Sequence, residues 1–258
     1  MIQPRSPRWG TLSNDRVRAA LFYARKRRLA RIAASAVASD PYIANVLFAM
    51  NSWDQFATAA CPSGQTMTSV GTPVSDTSNT FNGQNTMLLD GSNSVWLDNT
   101  ASSMSVANTT DFCFEAWFYC TGAGLTNGIF NKRDTASAEE ITVHMAGADP
   151  GEIAFVTWLS GSVNTQVVND TNQSYGQWIH GAFVRDASVD KMFINGVLQA
   201  ATATETNTPS GNTQDMTIGD YVYNTSRRFR GNIGPTRITF GVPRYTTSFT
   251  PPQSFPLQ

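Results

Sequence analysis

Residues 112–120 read Phe-Cys-Phe-Glu-Ala-Trp-Phe-Tyr-Cys, and this stretch decides the fold class. Strict alternation places Phe112, Phe114, Ala116 and Phe118 on one side of an extended chain and Glu115 on the other. That two-residue period belongs to a strand with one face in a core. Outward from it the same pattern recurs. Ile153 to Leu159 is almost wholly apolar, as expected of a strand covered on both faces, and Trp178 to Arg185 forms another run. Between Lys191 and Gln199 the pair Asn195-Gly196 separates two apolar runs. It predicts a two-residue type I′ hairpin turn, whose central residues both need positive φ. From Pro41 onward Ser, Thr and Asn make up 66 of 218 residues, and helical periodicity is lost. Many short strands with turns and no intervening helices predict an all-β fold, an antiparallel two-sheet jelly-roll sandwich over residues 40–258. The Pro-rich tail, Thr250 to Pro256, cannot enter a central strand and is expected to run extended along the body.

The first 39 residues differ in kind. The chain has 258 residues and a formal charge of −1, with 18 Lys and Arg against 19 Asp and Glu. Residues 1–31 hold nine of the basic residues and one acid, Asp15, a balance of +8, while the remaining 227 residues carry −9. Such a split predicts a basic arm (1–39) joined to a separate body. Within the arm, residues 13–38 read as an α-helix. Ser13 suits the N-cap, Asp15 lies in the positive first turn, and Arg25 to Arg31 fall toward the negative end. Its apolar arc is interrupted by Arg18, Arg25 and Arg28, so the helix cannot pack on a dry core unaided. Arg16, Arg18, Arg25, Lys26, Arg27, Arg28 and Arg31 are therefore the candidate partner-binding residues. Arg outnumbers Lys eight to one in residues 1–31, which suits forked contacts to carboxylate or phosphate.

No apolar run approaches the roughly 20 residues that span a bilayer, so membrane insertion is not expected. The N-terminus lacks the apolar core of a secretory signal; its Arg-rich, acid-poor character also suits an organellar transit peptide, a secondary reading. Three cysteines do not make a disulfide scaffold. Cys113 and Cys120 would lie on opposite faces of one strand, about 23 Å apart at ~3.3 Å per residue. Buried free thiols, formed in a reducing compartment, are expected.

The body opens with Asp40-Pro-Tyr-Ile-Ala-Asn-Val46 and continues through Phe81-Asn-Gly-Gln-Asn-Thr-Met-Leu-Leu-Asp-Gly91, residues 112–119, Ile129 to Asp134, Trp178 to Asp186 and Met192 to Gln199. It closes with Phe229-Arg-Gly-Asn-Ile-Gly-Pro-Thr-Arg-Ile238, Gly241-Val-Pro-Arg-Tyr245 and Phe249-Thr-Pro-Pro252. This ordered series resembles the laminin-G-like modules of the concanavalin A-like lectin/glucanase superfamily, in the version common in bacteriophage virion proteins. The resemblance runs, with gaps, from about Asp40 to the last residue and is most specific at its end. It implies a two-sheet jelly roll and leaves the chemistry open, since this fold serves lectins, hydrolases and inert spacers alike. Related modules carry acids after the Gly-x-Ile of the last segment that help bind Ca²⁺. This chain has Gly234-Pro235 there, so the resemblance carries no calcium site over.

His144 and His180 have no ligand-type neighbour at useful spacing, and HExxH, CxxC-pair, EF-hand, P-loop and Gly-x-Ser-x-Gly patterns are absent. No metal and no cofactor is expected. Glucanases of the superfamily place acids at alternate positions of one strand so that two carboxylates share a cleft. This chain has no Glu-x-Asp-x-Glu; Glu139-Glu140 would point apart in a strand, and Glu115 stands alone, outward or paired. Catalysis is not expected. For glycan binding, Trp53 beside Asp54, together with Asp90, supply a candidate aromatic platform and polar anchors, although tryptophans of a sandwich serve chiefly as core. Asp186 and Asp190 flank a hairpin and read as turn residues. Arg227-Arg228-x-Arg230 is either a solvated loop or a contact to an acidic neighbour.

The resemblance and the charged arm together imply a non-enzymatic bacteriophage virion structural protein, assembled in the host bacterial cytoplasm. The arm docks to capsid or tail proteins, with capsid preferred because no fibre repeat or coiled-coil trimerisation segment is present. The jelly roll is displayed for weak glycan or host-surface adhesion, and the assembly sets the oligomeric state. Nucleic acid is the weaker partner for the arm, since aromatic interleaving is thin. A tail-associated receptor-binding lectin is the alternative reading, and a glycan hydrolase the third.

Overall fold

A computed structural model describes residues 40–54, 66–97, 109–132, 141–159, 162–207, 215–221 and 224–256. The chain divides into two units, Met1–Ser39 and Asp40–Gln258, and the described residues all belong to the second. The helix expected over 13–38 and the candidate residues Arg16, Arg18, Arg25, Lys26, Arg27, Arg28 and Arg31 lie outside the described residues, as do Cys61, Glu139 and Glu140.

The described strands, in chain order, are β1 (Val46–Met50), β2 (Met67–Val70), β3 (Val74–Phe81), β4 (Gln84–Asp90), β5 (Ser94–Leu97), β6 (Phe112–Cys120), β7 (Asn127–Lys132), β8 (Ile141–Met145), β9 (Ile153–Leu159), β10 (Ser162–Val168), β11 (Trp178–Asp186), β12 (Val189–Ile194), β13 (Val197–Thr204), β14 (Met216–Ile218) and β15 (Arg230–Phe240). The larger sheet runs β13-β12-β11-β6-β15-β4-β3, with β1 also beside β15; the smaller runs β10-β9-β8-β7-β14-β5-β2. Every pairing between these strands is antiparallel, as the jelly-roll expectation requires. β15 organises the larger sheet. Its first residues pair with β4 and its later ones with β1, and Gly234-Pro235 sits where one partner gives way to the other. Proline has no N–H for a ladder, so it falls at that irregularity.

The alternation in β6 is the seam of the sandwich. Phe112, Phe114, Ala116 and Phe118 are fully buried in the inter-sheet core, where Phe112 meets Phe155 of the smaller sheet at 6.1 Å and Phe114 meets Phe130 at 5.9 Å. Each such ring contributes roughly 1.5–3 kcal/mol by leaving water. Asn195 and Gly196 have φ of 50° and 78°, the predicted type I′ geometry. Ala187 and Ser188 adopt positive φ too, without a glycine or asparagine to announce it. Cys113 and Cys120 are free and buried on opposite faces of β6.

Residues 241–256 form a strap across the outer face of the larger sheet. Phe249 N–H donates to Gly196 O (2.8 Å), Trp117 Nε1–H donates to Pro252 O (2.8 Å), and Asn51 Nδ2 donates to Phe255 O (2.7 Å). Beneath it Cys113, Ala182, Val184 and Phe193 form a second apolar layer, capped by Leu198, Tyr245 and Phe249. The opening and closing motifs meet here. Both Arg244 terminal nitrogens fork onto the Asp40 carboxylate (2.9 and 2.8 Å), Arg237 Nη1 reaches it at 3.0 Å, and Asn45 donates to Phe240 O.

Candidate functional site

The buried acids of the body are committed to internal partners. Glu115, fully buried under the strap, accepts from Arg237 Nε at 2.7 Å and from the Tyr245 hydroxyl at 2.9 Å, with His180 Nε2 at 3.5 Å. Burial alone would raise its pKa. The neighbouring His180 and the Arg237 guanidinium outweigh burial and hold the carboxyl below its ordinary range. Of the two readings offered for Glu115, paired is the one realised. A second cluster closes the gap between the sheets. Arg185 Nε meets Asp190 at 2.7 Å, Thr165 donates to Asp190 and Thr157 to Glu205. Burial pushes the Asp190 carboxyl up, against the pull of Arg185. Asp190 is therefore an internal ion-pair partner and Asp186 an ion-pair partner of Lys191 (2.6 Å); neither hydrogen-bonds the turn it flanks. In the basic cluster, Arg228 bonds buried Asp220 at 3.0 Å, which settles the acidic-neighbour reading for that residue.

The three residues expected to bind glycan are not brought together. Trp53 is half-buried against the main core. Asp54 accepts from Ser75 Oγ and Asn85 Nδ2, each at 2.7 Å. Asp90 lies five residues beyond Asn85 on β4, about 17 Å away at ~3.4 Å per residue, and accepts from the Ser92 hydroxyl and N–H. Those two bonds hold its carboxyl below the ordinary range.

A different constellation emerges on the half of the larger sheet that the strap leaves bare. Direct cross-strand partners put Trp178, Tyr119, Asn232, Leu88 and Val74 in one row on the outer face. The row spans four strand spacings, ~19 Å at ~4.8 Å each. Trp178 and Tyr119 are half-exposed with ring centroids 5.6 Å apart, and Leu88 and Val74 are exposed. In the next row Trp117 and Phe81 flank Gly234. A Cβ added there would lie 3.4 Å from both the Trp178 ring and Phe81, so the glycine makes a floor on which the indole rests.

Polar groups border these rings. Asn232 Nδ2 donates to Asp76 (2.8 Å) and Thr86 (3.0 Å), while its oxygen accepts from Asn79 Nδ2 (2.8 Å). The Ser78 hydroxyl, the Asn232 amide and the Ser78 N–H hold Asp76 at about 2, below its ordinary 3.8. The tryptophans differ in what their N–H groups do. Trp96 donates to Ser94 and Asp220, Trp117 to Pro252 and Trp158 to Thr142. The Trp178 N–H and the Tyr119 hydroxyl make no hydrogen bond with the described residues. Half-exposed rings with unengaged donors, beside the ionised Asp76 carboxylate that buried Asn232 orients from beneath, can stack an apolar sugar face and bond its hydroxyls. No single residue type signalled this site, because its members come from five strands. Among the described residues no group of three or more His, Cys, Asp and Glu is placed to hold a metal.

A family model, Laminin_G_3 of the concanavalin A-like lectin/glucanases superfamily, matches residues 89–240, more than half of the chain. No curated protein matches the sequence. Among solved structures, the chain is similar to domain 4 of AbnA, a GH43 extracellular arabinanase from Geobacillus stearothermophilus, in complex with arabinotriose. That match has 18% identity and a TM-score of 0.54, covering 78% of this chain and 95% of the other. The binding domain of Paraclostridial Mosquitocidal Protein 1 matches at 13% identity and TM-score 0.55, covering 81% of this chain and 50% of that one. The binding domain of Botulinum Neurotoxin DC in complex with SialylT matches at 11% identity and TM-score 0.55, covering 77% and 48%. The chain therefore spans about half the length of the toxin binding domains it matches. At these identities the likeness is one of fold.

Proposed function

This chain belongs to the concanavalin A-like lectin/glucanase superfamily, and from that membership we propose a non-enzymatic binding module; from the charge of the arm we propose that it is displayed on a bacteriophage particle and docked there through residues 1–39. The observation that carries the binding half is the Trp178–Tyr119–Asn232 row, with its unengaged indole N–H and phenol beside Asp76 and Asn79. The ligand class is a surface saccharide. The complexes of similar folds with arabinotriose and with SialylT lend support. The internal pairing of Glu115, Asp190, Glu205 and Asp220 favours a binding unit over a hydrolase, which requires two carboxylates facing a substrate cleft about 5–9 Å apart. The arm's +8 balance and its arginines support docking to an acidic shell or tail protein, with capsid preferred.

Glycan-array binding by the full chain tests the site. Trp178→Ala is expected to abolish the signal. Tyr119→Phe should weaken it roughly 2- to 10-fold, the worth of one hydrogen bond at about 0.5–1.5 kcal/mol. Unchanged binding in both variants refutes the row as the site. Deleting residues 1–39 tests docking: the remaining domain should stay folded and no longer join the particle, and normal incorporation would refute the anchor.

A further inference from the structure

The three arginines of the 227–230 segment do different work. Arg228 is clamped, Nε to Asp220 at 3.0 Å and Nη1 to Ser92 O at 2.9 Å. Arg230 folds back on its own loop, Nη1 to Arg228 O at 3.3 Å and Ser226 O at 3.5 Å, over Gly91. The 3-10 turn Thr225–Arg227 is fixed by Asn224, whose side chain accepts from Ser226 N–H and Oγ. Arg227 is the exception. Its guanidinium makes no hydrogen bond or ion pair with the described residues and lies over the Tyr221 ring, 5.2 Å from the centroid. Tyr221, itself 2% exposed, stands edge-on to His144 at 5.8 Å, and His144 Nδ1 is buried without a hydrogen-bond partner.

We propose that Arg227 heads a second recognition site, for an oxyanion (carboxylate, sulfate or phosphate) approaching the Tyr221–His144 rim. The guanidinium is held over an aromatic support with its hydrogen-bond donors unspent, which suits a forked contact to a carboxylate or phosphate-like group. Asp220 cannot compete, since its oxygens already accept from Ser94, Trp96, Arg228 and the Tyr221 N–H. Arg227, Arg228 and Arg230 outnumber Asp220 and Asp90 at this rim, in a body that is otherwise acidic. The site uses neither Trp178 nor Tyr119, so its failure and the failure of the saccharide row are separate outcomes.

The chain's two histidines provide the readout. His144 faces Arg227 and Tyr221, with uncharged Gly128 and Ala154 as its strand partners; burial, then the Arg227 charge, hold its pKa down at about 4. His180, fully buried under the strap, serves as an internal reference. The full chain is titrated by NMR with sodium sulfate, a glucuronate-containing oligosaccharide and its neutral analogue, at constant ionic strength. The acidic ligands should move the His144 imidazole signals and raise its titration midpoint while His180 stays still. Arg227→Gln should raise the midpoint unaided and abolish the ligand response. A response to both acids supports the site with the bare oxyanion as the recognised group; a response to the oligosaccharide alone supports a saccharide-borne acid. Movement of neither, equal movement with the neutral analogue, or an unchanged response in Arg227→Gln overturns the proposal.

Discussion

Glu115 and Arg237 form the most consequential residue pair of the body. Both are buried, and Asp40, Arg244 and Tyr245 complete the network around them. Removing the Glu115 charge leaves buried Arg237 only the Asp40 carboxylate, which Arg244 already shares, so Glu115→Gln should cost up to about 3–5 kcal/mol in urea unfolding. The pH dependence has a definite sign. Asp40 and Glu115 are held below their ordinary 3.8 and 4.5, so the stability they contribute is present above those values and lost as pH falls through their folded values. The urea midpoint should therefore drop on acidification below about pH 4.5, and less steeply in Asp40→Asn. The sequence left Glu115 as outward or paired, and could not decide because Arg237 stands 122 residues away. Alternation along β6 was legible; the partner depended on strand order, which no local pattern encodes.

At the scale of elements, the strap converts an outward sheet face into a second core layer. Phe249 stacks on Tyr245 at 3.5 Å and touches Phe193 and His180. In a Cys61→Ser background, Phe249→Ala should raise the thiol reactivity of Cys113, which lies beneath the strap, and leave Cys120, in the inter-sheet core, protected. Equal reactivity of both thiols would count against the layered arrangement. Gly196→Ala should also loosen the strap: φ is +78°, and a Cβ would meet Phe249 O at 2.0 Å. A loss of roughly 1 kcal/mol or more is expected from the backbone conformation alone. The extended Pro-rich tail and the Asn195-Gly196 turn were legible because proline and glycine act locally. The strand β3, Val-Ser-Asp-Thr-Ser-Asn-Thr-Phe, was not, since an edge strand needs little apolar side chain. The row proposed to bind saccharide escaped for a related reason. Trp178, Tyr119 and Asn232 are unremarkable singly, and only the β11-β6-β15 order makes them neighbours.

For the whole molecule, the order of assembly follows from β15. It must find β1, β4 and β6, so the larger sheet cannot close until nearly the entire body is present. Such long-range pairing predicts refolding in the millisecond-to-second range rather than microseconds, measurable by stopped-flow fluorescence of the body tryptophans. The division of charge, +8 in residues 1–31 against −9 elsewhere, was the most direct message of the composition. Under the proposed function it marks residues 1–31 as the segment that faces a partner, without specifying the partner.

The Asp40–Arg244 fork has one more consequence, a mechanical one. Asp40 is the covalent joint through which any tension on residues 1–39 enters the body. There it is clamped by two arginines of the closing segments, and β1 beyond it lies antiparallel to β15. A tug on the joint meets both ion pairs before it reaches the β1–β15 ladder. The fork thus acts as a clasp at the point where force enters, and Asp40→Asn should lower the rupture force in single-molecule pulling on the N-terminus.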